Sequence, residues 1–68
     1  MDEVEIRNFA FGLLKEIGGK ATADDIQRYL KLRLGKKVYE EDINKALEKD
    51  KRFRKVKNGE KEFWTLTV

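Results

Sequence analysis

The chain has 68 residues, 43% of them charged, a net charge of +3, and no cysteine, histidine or proline. Serine is absent as well. These limits exclude a disulfide framework, a thiolate zinc site and the usual Ser–His or Cys–His nucleophile pairs, so an enzyme is not expected. The length fits one domain with a modest core, or a domain cut from something larger. The Lys/Glu-rich composition resembles that of thermophile proteins, and equally that of a designed chain. No apolar run reaches membrane-spanning length and no signal peptide opens the chain, which leads us to expect an intracellular location and no membrane partner.

The first predicted helix runs from Asp2 to Ile17. Ile6, Phe9, Ala10, Leu13, Leu14 and Ile17 recur at helical spacing and form its expected core face. Asp2, Glu3 and Glu5 suit the positive end of the helix dipole, and Gly18-Gly19 supplies the left-handed cap. Val4 and Phe11 fall on the opposite side, either against the C-terminal strand or as a strip for a dimer or other protein partner.

Lys20-Ala21-Thr22 reads as a short extended link. Thr22 is the expected N-cap of a second helix, Ala23–Leu34, with Asp25 as capping-box partner. Ile26, Tyr29, Leu30 and Leu34 are expected to face the core, and Gly35 to close the helix before the basic pair Lys36-Lys37. Val38 leads into a third helix at about Tyr39–Asp50, with Ile43, Ala46 and Leu47 inward and Phe53 as a further anchor. Glu41, Asn44, Lys45, Glu48, Lys49 and Arg52 share its outward face.

Residues 51–68 read as a hairpin turning at Asn58-Gly59. Its first arm is basic. Its second alternates Trp64, Leu66 and Val68 with Phe63, Thr65 and Thr67. Charge is unevenly spread. Lys51, Arg52, Arg54, Lys55, Lys57 and Lys61 oppose only Glu60 here, whereas Asp2, Glu3, Glu5 and Glu16 outweigh Arg7 and Lys15 at the start. A basic end on a nearly neutral domain is the footprint of a polyanion partner, or of an edge strand protected from aggregation.

The order helix, link, helix, turn, helix, basic hairpin resembles the winged-helix superfamily across Val4–Val68. That resemblance implies an α+β fold: a three-helix bundle, a short strand at Lys20–Thr22, and a C-terminal wing with its tip at Lys57–Lys61. The segment Arg52-Phe53, Val56, Asn58-Gly59 and Trp64-Thr65-Leu66 is similar to the end of HARE-type helix–turn–helix domains. Asn44, Lys45 and Trp64 also look partly like Z-DNA-binding Zα domains. Glu48 and Glu40 stand where that family has a Tyr and a Lys, and its wing prolines are absent.

The function implied is regulatory or accessory binding of duplex DNA, as in transcription regulation. Asn44 would read adenine, and Lys45 or Lys49 would reach guanine or phosphate. Arg52, Arg54, Lys55, Lys57 and Lys61 would hold phosphates, with Lys31, Lys36 and Lys37 adding contacts at the turn between the second and third helices. Arg54 and Lys55 lie on opposite faces of a strand, so only one of them is expected to point at a given ligand. Glu40, Glu41, Asp42, Glu48 and Asp50 repel phosphate from the third helix, so the wing and that turn are expected to lead, with weak sequence preference. The competing reading is a protein-interaction or dimerisation module using the acidic third helix or the Val4/Phe11 side. Asp24-Asp25 and Glu40-Glu41-Asp42 read as acids at helix N-termini rather than as a Ca²⁺ or Mg²⁺ site. No phosphate loop is present, so no cofactor or small-molecule substrate is expected.

Overall fold

The computed structural model describes residues 1–67. Val68, expected on the Trp64–Leu66 face, lies outside the described residues. The chain forms α1 (Glu3–Ile17), β1 (Lys20–Ala21), α2 (Ala23–Leu34), α3 (Glu40–Glu48), β2 (Phe53–Asn58) and β3 (Lys61–Leu66). This is an α+β fold of three helices and one antiparallel sheet in the order β1-β3-β2.

The helix ends follow local chemistry. Asp2 caps α1 rather than opening it: its carboxylate accepts from Glu5 N at 2.8 Å, and Glu5 accepts from Asp2 N at 3.3 Å. Thr22 and Asp25 make the same reciprocal pair at α2, at 3.0 and 3.1 Å. Gly18 and Gly35 close α1 and α2 with φ of 70° and 65°, a conformation that glycine adopts without the steric cost of a Cβ. Between α2 and α3, the Gln27 side-chain amide donates to the Val38 carbonyl at 2.8 Å, and Val38 is buried. That bond fixes a link with no regular structure of its own.

The core joins one face of every helix to one face of the sheet. Ile6, Leu14, Ile26, Leu30, Ile43 and Leu47 are its largest fully buried side chains, and Phe53 and Trp64 close it from the sheet. In register, Trp64 stands between Ala21 of β1 and Lys55 of β2.

Several expectations need correction. Ile17 and Leu34 are 45% and 48% exposed. Each is the last residue of its helix and projects past the core, and the bidentate Arg33–Glu16 pair bridges the two helix ends at 2.9 and 3.0 Å. The third helix is shorter than expected and ends at Glu48. The hairpin turn is Gly59-Glu60, since Asn58 pairs with Lys61. Only Gly59 has positive φ there (67°), the pattern of a type II′ turn. The Val4/Phe11 side is not a continuous apolar strip. Val4 is exposed, but Phe11 packs on the core edge beneath the Arg52 guanidinium, 4.6 Å from its ring.

Asp50 organises the passage from α3 to β2. It accepts from Arg52 N at 2.9 Å and from the Arg52 guanidinium at 2.8–3.2 Å, with Arg7 Nε at 3.6 Å. The Arg52 side-chain hydrogen bonds, then the Arg52 backbone bond, hold the Asp50 carboxyl below its ordinary value despite the opposing effect of burial. A carboxylate whose pKa is depressed in the folded state stabilises the fold above its unfolded pKa, and that contribution is lost as pH falls through the folded one. Asp50→Asn should therefore cost about 1 kcal/mol at neutral pH. Urea titrations of the two proteins should converge once the pH falls below the depressed Asp50 value.

Candidate nucleic-acid interface

The strand alternation sorts the basic hairpin into two faces. Phe53, Lys55 and Lys57 of β2 face the helices, together with Glu62, Trp64 and Leu66 of β3 and Ala21 of β1. Arg54, Val56 and Asn58 take the outer face, together with Lys61, Phe63, Thr65 and Lys20. The burial agrees. Phe53 and Trp64 are buried and Leu66 packs against the core, whereas Val56 and Phe63 are only partly covered and lie outside the core cluster.

The predicted site residues do not form one surface. Lys49 Nζ lies 3.0 and 3.1 Å from the Glu3 carboxylate of α1. Arg52 is bound to Asp50 and stacked over Phe11. Both belong to a charge cluster on the α1–α3 seam that also holds Arg7. Helical spacing put them with Asn44, but α3 stops at Glu48, and the chain then turns back toward α1 before entering β2.

Asn44 also differs from expectation. Its Oδ1 accepts from Trp64 Nε1 at 2.8 Å, so the side chain turns toward the sheet. With that oxygen engaged in a part-buried bond, Asn44 is not presented for the bidentate pairing with adenine that was expected of it. Trp64 is 3% exposed and belongs to the core.

Lys55 bridges the hairpin to α3, 3.5 Å from Glu48 and 4.9 Å above the Trp64 ring. Arg54, Lys57 and Lys61 on the hairpin are exposed and make no ion pair among the described residues. The same holds for Lys31, Lys36 and Lys37 near the α2–α3 link and for Lys45 on α3. One cation escaped the sequence reading. Lys20 of β1 joins the outer face through its pairing with Thr65, and its Nζ lies 4.8 Å over the Phe63 ring. The link Lys20-Ala21-Thr22 reads as extended, but only the register of β1 on β3 shows what Lys20 stands beside.

A cleft of about 510 Å³ separates the N-terminal ends of α2 and α3 from β3. Asp24, Asp25, Glu40 and Glu62 line it, opposed by Arg28 and Lys55, with Asn44 and Trp64 also in its wall; Lys61 and Phe63 of β3 border it as well, although their strand positions belong to the outer face and Lys61 makes no ion pair among the described residues. Arg28 is partly neutralised by Asp24 at 3.0 Å. The groove beside α3 therefore carries both signs of charge, whereas Arg54 and Lys57 of the hairpin are exposed and make no ion pair among the described residues. The described residues contain no group of three or more His, Cys, Asp or Glu positioned to hold a metal ion, and no helix long and apolar enough to cross a membrane.

No protein-family model, curated protein or solved structure matches this chain.

The bond to Asn44 is what satisfies the indole N–H of Trp64. Removing its acceptor strands a buried donor, at about 1–3 kcal/mol. We expect Asn44→Ala to lose stability in that range by chemical denaturation, while Asn44→Asp, which keeps an acceptor oxygen, loses less.

Proposed function

We propose that this protein is a winged-helix domain that binds duplex nucleic acid through its phosphate backbone, led by the hairpin and the α2–α3 turn. The element order and the pairing of β1 with β3 support the winged-helix reading. The observation that carries the binding reading is the partition of cations. Those on the α1–α3 seam are consumed by carboxylates, whereas Arg54, Lys57 and Lys61 on the hairpin and Lys36 and Lys37 on the turn are left to solvent. An unpaired, exposed lysine gives up little on meeting a phosphate, and each phosphate neutralised releases condensed counterions.

Lys55 takes a smaller part. Exposed ion pairs such as that with Glu48 are worth about 0–1 kcal/mol, so Lys55 can be recruited, but at that cost. Arg52 takes none, because a new contact would break several hydrogen bonds and uncover Phe11. Sequence preference is weak on this account. Glu40, Glu41, Asp42 and Glu48 are exposed on α3 and keep it away from the phosphates flanking a groove. The same exposed acids favour a second reading, a basic protein partner docked on α3, in which the hairpin charge is dispensable.

The two readings separate by fluorescence anisotropy with a labelled random duplex over a series of salt concentrations. Backbone binding predicts a log–log slope of roughly −3 to −5, from about four to five phosphate contacts. Lys57→Ala should reduce the magnitude of that slope by about one unit. Arg52→Ala should lower stability but leave the slope unchanged. Absence of binding at low salt would reject the duplex reading and favour the protein partner.

A further inference from the structure

The outer face of the sheet carries chemistry that duplex backbone binding does not use. Three rows cross it. Lys20, Thr65 and Arg54 form one, Phe63 and Val56 the next, and Lys61 and Asn58 the third. The central row is apolar and partly exposed, and it packs on no part of the core. Cations flank it on both sides. No Asp or Glu of the strands holds a position on this face: Glu62 points to the other side and Glu60 sits in the turn, although Lys61 and Phe63 also border the cleft that Asp24, Asp25 and Glu40 line.

We propose that this face binds single-stranded nucleic acid, with one unpaired base stacked on Phe63 and the adjoining phosphates held by Lys20, Arg54 and Lys61. Charge and ring chemistry together choose the occupant. The cations require a polyanion. A duplex or a free anion would satisfy them but leave Phe63 without a partner, because duplex bases keep their flat faces stacked on one another. An unpaired strand offers a negative backbone and accessible base faces in alternation, matching cationic rows on either side of an aromatic one. Lys20 rests over Phe63 in the free protein. It is an exposed, flexible side chain, so a base can replace it on the ring while its ammonium group swings to a phosphate. Every base offers a π-face to an aromatic ring, so any base can stack on Phe63 and little sequence preference follows.

This site shares Arg54 and Lys61 with the duplex reading and therefore rests on it for part of its charge, but the role of Phe63 is independent. The test uses labelled oligo(dT), the same length of abasic deoxyribose-phosphate strand, and a duplex, each titrated with wild type, Phe63→Leu and Phe63→Tyr. Phe63 lies outside the core, so the leucine variant should fold, and its thermal melt verifies this. We expect Phe63→Leu to bind oligo(dT) roughly tenfold more weakly, as loss of one base–aromatic stack requires. Phe63→Tyr should retain wild-type affinity. The abasic strand should bind wild type less tightly than oligo(dT), and duplex affinity should be the same for all three proteins. Equal binding of oligo(dT) by wild type and Phe63→Leu, or equal binding of the abasic strand and oligo(dT) by wild type, overturns the proposal. If the duplex still binds with steep salt dependence, that failure is confined to the single-strand site. If nothing binds at low salt, both readings fall.

Discussion

The hydrogen bond from Trp64 to Asn44 joins the central strand of the sheet to α3, and the division of the surface follows from where it sits. Burial of the indole supplies most of the energy. An aromatic side chain of this size removes roughly 150–250 Å² from water, on the order of 5 kcal/mol, whereas the hydrogen bond adds about 1 kcal/mol net. The bond matters for orientation. It gives the only polar atom of the ring an acceptor on one particular helix, so the sheet cannot slide on the core without stranding it. No buried side-chain nitrogen or oxygen among the described residues is left without a partner.

Once Trp64 faces inward, alternation determines the rest. Lys55 must lie over the indole, and Arg54, Phe63 and Lys61 must face away. Glu48 then meets Lys55 on the α3 side, while Lys49, one residue later, meets Glu3 of α1. The folded chain thus holds two populations of positive charge. One is structural and neutralises acids on the α1–α3 seam and beside the cleft. The other makes no ion pair among the described residues and lies mostly on the hairpin and at the α2–α3 turn, with Lys45 of α3 apart from them. A net charge of +3 conceals this separation.

Much of the fold was legible because short-range rules decide it. The caps at Thr22, Gly18 and Gly35, the inward faces at Ile43, Ala46 and Leu47, and the alternation around Trp64 depend on neighbours within a turn or a strand. The errors share a cause. Helical spacing grouped Asn44, Lys49 and Arg52 on one face, but it carries no information on where a helix stops or which element packs beside it. Leu34 and Ile17 have the right spacing for the core and still project beyond it. Asn44 was read as an exposed reader because its partner is twenty residues away, on the strand that carries Trp64. Lys20 was overlooked because a two-residue strand acquires its meaning only from the register that sets it beside Thr65. The candidate interface was legible as a basic segment and not as a pair of faces, since charge runs ignore the pleat.

In the proposed binding mode, polyanions meet the unpaired cations of the hairpin and the α2–α3 turn and not the acids of α3. Amide chemical-shift mapping of the 8.0 kDa protein with a short random duplex tests it most directly. Binding in that mode shifts amides between residues 54 and 61 and near Lys36 and Lys37, and leaves the acidic positions of α3 and the N-terminal half of α1 nearly silent. Shifts centred on Glu41, Asn44, Lys45 and Glu48 would contradict it.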